Sequence, residues 1–333
     1  MPNFLILKKK INKFNKKIIV NGDKSLSIRW VLLSSLASGV SRAKNLLLSE
    51  DVLAAIKVIK KLGVKVILRK NYCKIFGNGV DGYNYKKNLS LNAENSGTLG
   101  RLILGLLINT PYTIKLIGDK SLSQRDFKRV AKPLGKFGAK FNLNKGFGLP
   151  LKISGSKNLK PIQYTENKGS AQCKSSVIFG GMRSNGETVI KAKKSRNHTE
   201  LMCKYLNLPI KIENKKNYDL IKINKVNNIK KINYRIPSDI SSAAFFIVLT
   251  ILTNDSSITI KNVNINPSRI GIIIILKKMG VKFIFKNKRK YKGEIIADIN
   301  VKNPKKLKSI NCPKDLISKA IDEFLVIFLV AAK

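Results

Sequence analysis

The fold of this chain is decided by the stretch Asn21-Gly22-Asp23-Lys24-Ser25-Leu26-Ser27-Ile28-Arg29. The β-branched run Ile18-Ile19-Val20 before it predicts a strand, and the apolar run from Trp30 to Leu36 after it predicts a helix. Lys24 and Ser25 are therefore expected at a helix start, where free backbone N–H groups and the helix dipole favour an anion. Ser25 and Arg29 are four residues apart and share one helix face. The stretch predicts a phosphate or carboxylate site, although the same residues also suit an ordinary capped helix with solvated cations.

The chain carries far more positive than negative charge. Its 333 residues include 65 Lys and Arg against 19 Asp and Glu, which gives a net charge of +46. Such a balance suggests nucleic acid, an acidic membrane surface or small anionic substrates as partners. The lysines are, however, spread along the whole chain among many Ile and Asn. A compositional bias therefore explains the charge as well as a functional basic surface does.

The numbers and positions of the cysteines, the histidine and the apolar runs argue against several classes of protein. The four cysteines are far apart and the chain has a single histidine, His198, which argues against a zinc site and a disulfide framework. The longest apolar runs, 243–252 and 324–332, are too short to span a membrane. The stretch 1–17 lacks the order of charge, apolar core and cleavage site of a secretory signal. We expect a cytoplasmic protein that does not bind a membrane.

A pattern of helix, glycine and strand recurs along the chain at a period of roughly seventy residues. Amphipathic helices are predicted at 52–62, 127–137 and 270–279, and each ends at a glycine: Gly63, Gly138 and Gly280. A strand is predicted after each glycine, and another before the second and third helices. A weaker fourth copy surrounds a helix predicted at 198–206. The chain is therefore expected to repeat one α/β folding unit, with polar helix starts between the copies.

Eight short motifs follow one another along the chain. They are Gly22-Asp23-Lys24-Ser25-Leu26-Ser27-x-Arg29, Asn95-Ser96-Gly97-Thr98-x-x-Arg101, Gly118-Asp119-x-Ser121-Leu122-x-x-Arg125, Ser170-Ala171-Gln172-x-Lys174-Ser175, Ser195-Arg196-x-His198-Thr199-Glu200, Ser238-Asp239-x-Ser241-Ser242-Ala243, Asn266-Pro267-x-Arg269 and Ile321-Asp322-Glu323. In this order they resemble the EPSP synthases (3-phosphoshikimate 1-carboxyvinyltransferases) of the enolpyruvyl transferase family. The resemblance runs from about Lys16 to Lys333, and the motifs are specific only in combination.

The resemblance implies a two-lobed, inside-out α/β barrel built from repeated βαβαββ units. The first lobe would comprise residues 1–21 and 237–333, and the second lobe residues 22–236. In the family, helix N-termini face the cleft between the lobes. The last repeat of the first lobe would be incomplete in this chain.

The resemblance also implies a reaction and its residues. The family moves the enolpyruvyl group of phosphoenolpyruvate onto the 5-hydroxyl of shikimate 3-phosphate and releases phosphate, a step of chorismate and aromatic amino-acid biosynthesis that needs no metal or cofactor. The implied shikimate 3-phosphate contacts are Lys24, Ser25, Arg29, Ser170, Ala171, Gln172, Arg196 and Asp322. The implied phosphoenolpyruvate contacts are Lys24, Gly97, Arg125 and Gln172. Asp322 would act as general base, and Lys24 would share in proton transfer.

The family pattern extends beyond Lys333 for about another quarter of its length, and that part carries a Lys-Glu-x-x-Arg motif with a catalytic Glu. We therefore expect the chain as given to be an inactive or nearly inactive fragment. A natural truncation and a partial copy both remain open.

Two other functions compete with this interpretation. The sister enzyme acting on UDP-N-acetylglucosamine has the same fold, but it carries Lys-Asn where this chain has Lys24-Ser25, and usually Cys where this chain has Lys120. A nucleic-acid-binding protein would suit the charge, but the sequence contains no recognisable binding module. We expect small anionic substrates, no specific nucleic-acid partner and a monomer.

Overall fold

The computed structural model describes residues 11–70 and 72–333 as an α/β protein. Residues 1–10, most of the stretch considered for a secretory signal, lie outside the described residues. The chain divides into two compact units. Unit 1 comprises the described residues up to Asn21, with Pro237–Tyr291 and Ile295–Lys333, and unit 2 comprises Gly22–Ile236 with Lys292–Glu294.

Helices and strands alternate through most of the chain. The helices are α1 (Lys24–Ser35), α2 (Glu50–Lys61), α3 (Gly97–Leu106), α4 (Lys120–Ser123), α5 (Lys128–Gly135), α6 (Ala171–Gly181), α7 (His198–Tyr205), α8 (Ile240–Leu252), α9 (Gly271–Lys278) and α10 (Phe324–Ala331), with a 3-10 helix at Lys314–Lys319. The strands are β1 (Asn15–Ile18), β2 (Ser38–Lys44), β3 (Lys65–Arg69), β4 (Tyr72–Asn78), β5 (Ser90–Asn92), β6 (Ile114–Ile117), β7 (Lys140–Leu143), β8 (Leu151–Ser154), β9 (Gln163–Glu166), β10 (Thr188–Lys193), β11 (Ile210–Asn214), β12 (Tyr218–Ile223), β13 (Asn233–Arg235), β14 (Ser257–Asn264), β15 (Phe283–Tyr291) and β16 (Glu294–Lys302). No described helix combines the length and apolar character needed to cross a bilayer.

The described strands form four sheets of four strands with one common pattern. Unit 2 contains the sheets β13-β2-β4-β3, β5-β6-β8-β7 and β11-β12-β10-β9, and the fourth sheet has the order β1-β14-β16-β15. In each sheet an edge strand pairs in parallel with its neighbour, which then pairs antiparallel with the third strand. The sequence repeat is therefore one βαβαββ unit, seen without interruption from β5 to β8 and from β9 to β12.

Two of the sheets contain a strand from a distant part of the chain. In unit 1, β1 pairs in parallel with β14, so that Asn15 lies opposite Ser257. In unit 2, β13 pairs in parallel with β2, so that Asn233 lies opposite Arg42. In each of these two sheets, the edge strand that pairs in parallel lies close in sequence to a point where the chain passes from one unit to the other.

The first strand lies earlier in the chain than the sequence predicts. The strand expected at Ile18-Ile19-Val20 ends at Ile18. Beyond it the Val20 carbonyl accepts a hydrogen bond from the Ser238 hydroxyl, and the Asn21 carbonyl accepts one from the backbone N–H of Asp239. These carbonyls pair with the segment before α8 and not with β14, which is why the strand ends there.

Helices α1 and α6 of unit 2, like α3, are buried along almost their whole length. Every residue of α1 from Leu26 to Ser35 is buried, including Trp30, whose Nε1 donates to the carbonyl of Ile232 at 3.1 Å. In α6 every residue from Cys173 to Gly181 is buried. A helix that is buried on all sides is a central element of its domain. Only the first turns of α1 and α6 reach solvent, and both carry polar residues.

Candidate functional site

The first turn of α1 is positively charged and accessible. The Asp23 carboxylate caps the helix by accepting a hydrogen bond from the backbone N–H of Leu26 at 2.9 Å. Asp23 is buried, whereas Lys24 is exposed and Ser25 is half-buried. Lys24 Nζ lies 3.8 Å from a carboxylate oxygen of Asp51. The structure thus has a cation and a hydroxyl at the helix start where the sequence predicts an anion site.

The guanidinium of Arg29 is buried and hydrogen-bonded to the protein. Its Nε donates to Thr199 Oγ1 at 2.6 Å, Nη1 to the Ser25 carbonyl at 3.0 Å and Nη2 to Ser175 Oγ at 3.1 Å. Burial lowers the pKa of Arg29, and the Glu200 carboxylate is the strongest influence in the opposite direction. Arg29 therefore ties the first turn of α1 to helices α6 and α7.

The start of α6 presents a capped turn with a half-buried surface. Ser170 Oγ accepts a hydrogen bond from the backbone N–H of Cys173 at 3.3 Å, and the Ser170 N–H donates to Glu166 Oε2 at 2.8 Å. Ser170, Ala171 and Gln172 are all half-buried. The turn is therefore fixed by hydrogen bonds and is still accessible to a ligand.

Arg101 on α3 holds the amide of Gln172. Arg101 Nη1 donates to Gln172 Oε1 at 2.5 Å, and Gln172 Nε2 donates to Thr98 Oγ1 at 3.1 Å. The Arg101 guanidinium also lies over the Phe127 ring, 5.3 Å from its centroid. Burial is the main cause that lowers the pKa of Arg101. Gln172 is thus oriented by a buried arginine and not by solvent.

Gly97 lies between two arginines. A Cβ atom at Gly97 would stand 3.1 Å from Nη1 of Arg101 and 3.1 Å from Nη1 of Arg125. Arg125 is exposed, and within the described residues its guanidinium makes no hydrogen bond or ion pair. The pKa of Asp119 is lowered chiefly by the backbone N–H of Leu122, with the charge of Arg125 as a smaller cause. Gly97 is buried, and because it has no side chain, both guanidinium groups can lie close to its backbone.

Arg196 and His198 follow β10 in unit 2 and differ in their surroundings. Arg196 is half-buried in the loop before α7 and is near enough to Arg29 for its charge to contribute to the lowered pKa of that residue. His198 is buried, and its Nδ1 lies 2.7 Å from Glu294 Oε1. Arg196 is therefore accessible to an anion, whereas His198 is fixed within unit 2.

Asp322 belongs to unit 1, in the turn before α10. Its side chain is 47% exposed, and Oδ2 lies 4.0 Å from Arg269 Nη2. The carboxylate is thus held near a buried arginine while part of it remains in solvent.

The polar contacts of unit 2 connect four of its helices. Arg29 links α1 to α6 and α7, and Arg101 links α3 to α6 through Gln172. No group of three or more His, Cys, Asp or Glu side chains suited to a metal ion occurs in the part of the chain that the structure describes. These contacts bring the starts of α1, α6 and α7 together, with the exposed Lys24 at the first and the half-buried Arg196 before the last. Free backbone N–H groups and accessible cations of this kind suit a polyanionic ligand.

Comparison with known proteins supports the same family throughout the chain. Residues 8–333 match the model of the family EPSP synthase (3-phosphoshikimate 1-carboxyvinyltransferase). The chain is 42% identical to the 3-phosphoshikimate 1-carboxyvinyltransferase of Ruthia magnifica over 334 residues, which covers 100% of this chain and 74% of the relative. It is 41% identical to that of Caldicellulosiruptor bescii, covering 96% of this chain and 73% of the relative. The chain belongs to the EPSP synthase family.

A solved EPSP synthase has the same fold. The structure of the Acinetobacter baumannii enzyme aligns with a TM-score of 0.87 and 36% sequence identity, covering 96% of this chain and 72% of that chain. This agreement confirms the α/β fold predicted from the motifs. The family match and the sequence identities, and not the shared fold, favour the EPSP synthase interpretation over the UDP-N-acetylglucosamine alternative.

Three residues that support the predicted site of this EPSP synthase family member were not assigned a role from sequence. They are Thr98, Ser175 and Thr199, which bond to Gln172 or Arg29. The role of Ser175 was partly predictable from spacing, because Ser175 follows Gln172 by three residues on α6 and so shares its helix face. Which residue of another helix each of them contacts depends on how the helices pack, and spacing within one helix does not indicate this.

Proposed function

We propose that this chain carries substrate-binding residues and the general base for transfer of the enolpyruvyl group of phosphoenolpyruvate to the 5-hydroxyl of shikimate 3-phosphate, a reaction that gives 5-enolpyruvylshikimate 3-phosphate and phosphate. Membership of the EPSP synthase family supports this reaction. The structural observation that carries it is the placement of Gly97 between Arg101 and Arg125, beside the oriented amide of Gln172. This arrangement places two cations beside a backbone that has no side chain, which suits a small, doubly charged substrate.

Shikimate 3-phosphate is proposed to bind at the starts of α1 and α6. Lys24 and Ser25 would contact it from α1, Ser170, Ala171 and Gln172 from α6, and Arg196 from the loop before α7. The exposed or half-buried state of these residues supports the assignment. Arg29 was predicted as a further contact. Since three of its nitrogens donate to protein groups, we propose that it contributes by fixing the Ser25 carbonyl and the turn around it.

Phosphoenolpyruvate is proposed to bind at the start of α3. Arg125 would pair with its phosphate or carboxylate, Gly97 would let the ligand approach the backbone, and Gln172 and Lys24 would contact its polar atoms. The supporting observation is that the exposed Arg125 guanidinium makes no ion pair with the residues that the structure describes. A cation that forms no ion pair with the protein can form one with an anionic substrate.

Asp322 is proposed as the general base that takes the proton of the 5-hydroxyl, and Lys24 as a second participant in proton transfer. Both side chains are about half exposed, at 47% for Asp322 and 49% for Lys24, and so both can reach a ligand. A carboxylate that is anchored yet accessible fits the requirements of a general base.

The test is calorimetric titration of the chain with shikimate 3-phosphate, followed by phosphoenolpyruvate, with UDP-N-acetylglucosamine and inorganic phosphate as comparison ligands. We expect shikimate 3-phosphate to bind more tightly than phosphate and UDP-N-acetylglucosamine not to bind. Arg125→Met should weaken phosphoenolpyruvate binding by about tenfold or more, since a hydrogen bond to a charged group is lost. The matched control is Arg69→Met, because Arg69 is exposed on β3. Shikimate 3-phosphate binding no stronger than that of phosphate would refute the proposal.

A cytoplasmic location, a monomeric state and the lack of a specific nucleic-acid partner are also proposed. Sedimentation at several protein concentrations tests the monomer. Salt titration of DNA binding tests the third statement, because nonspecific attraction to a basic surface falls steeply with salt for every sequence alike.

A further inference from the structure

Three of the eight motifs have residues that meet in unit 1. The motifs are those around Asp239 at the start of α8, Arg269 before α9 and Asp322 before α10. The motif that contains Arg269 does not by itself indicate a role for this residue. In the structure Arg269 is 3% exposed and lies within 4.0 Å of carboxylates from both of the other motifs.

The contacts of Arg269 converge on one atom of its guanidinium. Nη2 donates to Ser241 Oγ at 2.7 Å and lies 3.5 Å from Asp239 Oδ1, 3.8 Å from Glu323 Oε1 and 4.0 Å from Asp322 Oδ2. The Ser241 hydroxyl in turn donates to Glu323 Oε1. Asp239 and Glu323 are buried, whereas the side chain of Asp322 is 47% exposed.

The charges of this cluster differ from those of the rest of the chain. Three of the 19 acidic residues gather around a single cation, although the chain as a whole carries 65 basic residues. Carboxylates that lie close together repel one another, and burial makes this more costly. A cation placed among them offsets that cost. The positive charge of Arg269 therefore offsets the repulsion among these three carboxylates. A general excess of lysine and arginine would not by itself place a cation at this position.

The backbone around Arg269 is also fixed. Asn266 Oδ1 accepts hydrogen bonds from the backbone N–H and the hydroxyl of Ser268, and the Asn266 carbonyl accepts one from the Arg269 N–H at 2.8 Å. At the start of α9, a Cβ atom on Gly271 would stand 2.6 Å from the backbone carbon of Lys319. The segment just before Asp322 thus packs against the backbone of α9, and only glycine permits that approach.

We propose that Arg269 is a positioning residue for Asp322. Its buried guanidinium holds the turn that carries the Asp322–Glu323 pair, while Gly271 gives that turn a backbone surface to rest on. Asp322 keeps one oxygen near the arginine, and its side chain is 47% exposed, which lets a substrate hydroxyl reach it. This inference rests on the proposed role of Asp322 as the base that contacts the 5-hydroxyl of shikimate 3-phosphate.

The test compares the affinity for shikimate 3-phosphate with that for its analogue lacking the 5-hydroxyl. We expect Asp322→Asn to weaken binding of shikimate 3-phosphate by about tenfold, since the 5-hydroxyl then donates to a neutral amide oxygen and not to a carboxylate, and to leave the analogue unaffected. Arg269→Met should produce the same selective loss, and the double variant should bind no more weakly than Asp322→Asn alone. Arg269→Lys, which keeps the charge but loses the planar fork, should recover part of the affinity. The matched control is Arg289→Met, on an exposed arginine of β15 in the same unit.

Each result separates the two proposals. If Asp322→Asn binds shikimate 3-phosphate normally, the base assignment fails, and the positioning role fails with it. If Asp322→Asn shows the selective loss but Arg269→Met does not, only the positioning role is overturned. Equal loss for both ligands in Arg269→Met means a merely structural role and also overturns it. Should Arg269→Met fail to fold, Arg269→Met with Glu323→Gln removes one of the two buried carboxylates as well. Unchanged affinity in that double variant, or in Arg269→Lys if the double variant is also unfolded, overturns the proposal.

Discussion

Lys174 and Glu200 form an ion pair that is almost completely withdrawn from solvent. Lys174 Nζ lies 2.6 Å from Glu200 Oε1, and the two side chains are 0% and 3% exposed. Lys174 follows Gln172 on α6, and Glu200 follows Thr199 on α7, so the pair joins the two helices that contact Arg29. Replacing Glu200 by Gln is therefore expected to destabilise unit 2 strongly and to disturb the turn that carries Ser170, Ala171 and Gln172.

The size of the effect follows from the distance and the burial. At 2.6 Å and an effective dielectric constant of about 20, the attraction is about 6 kcal/mol. Removing one partner of a buried pair leaves an uncompensated charge and costs about 3–5 kcal/mol. For a unit of this size each kcal/mol shifts Tm by about 2–4 °C, so Glu200→Gln should lower the Tm of unit 2 by about 6–20 °C.

Scanning calorimetry of the chain measures this shift, and two variants make it interpretable. Glu213→Gln is the matched control, since Glu213 pairs with Lys215 at 3.0 Å on the surface of the same unit; it should leave Tm unchanged. Lys174→Met with Glu200→Met removes both charges and should recover most of the lost stability, because no buried charge remains unpaired. The reasoning is refuted if Glu200→Gln is as stable as the control, or if the double variant is as unstable as Glu200→Gln.

Three further predictions concern ligand affinity, stability and thiol reactivity. Gly97→Ala places a Cβ 3.1 Å from Arg125 Nη1 and should weaken phosphoenolpyruvate binding by a factor on the order of 3–10 in a titration, with Tm unchanged; undiminished affinity would contradict the geometry. Gln172→Ala leaves a buried guanidinium without its acceptor, which should cost about 1–3 kcal/mol in the free energy of unfolding, measured by denaturant titration. Burial raises the pKa of Cys203 to about 12, so at pH 8 its thiol stays protonated, and iodoacetamide should label the exposed Cys312 while leaving Cys203 unmodified until the chain unfolds. Mass spectrometry of the labelled peptides checks this, and equal labelling of both thiols would disprove it.

Local patterns in the sequence predicted the repeated helices because each carries its own stop signal. The helix expected at 52–62 is α2 at Glu50–Lys61, and the one expected at 270–279 is α9 at Gly271–Lys278. In both cases a glycine with positive φ, Gly63 and Gly280, follows the helix closely. A residue that alone adopts this backbone conformation easily ends a helix whatever the tertiary structure around it.

Pairings between distant segments were not predictable in the same way. The strand expected at Ile18-Ile19-Val20 was placed too late, because its end is set by hydrogen bonds from Ser238 and Asp239. Neither of these donors lies near it in the sequence. The pairing of β13 with β2 likewise depends on where the chain returns after a long excursion. Periodicity describes one segment at a time and cannot identify a partner in another.

The arginines of unit 2 make the limit of motif reasoning clear, because a motif gives residue type and order but not burial. Arg29 and Arg101 are 3% and 7% exposed and donate to Ser25 and Gln172, which lie in accessible helix starts. Arg125, in a motif of the same kind, is exposed. An anion that meets Arg125 gains a charge that the described residues do not already neutralise, whereas a buried arginine contributes mainly by fixing the groups around it. Substituting Arg125 should therefore change affinity more than stability, and substituting Arg101 should change both, a contrast that titration and unfolding experiments on Arg125→Met and Arg101→Met would measure directly.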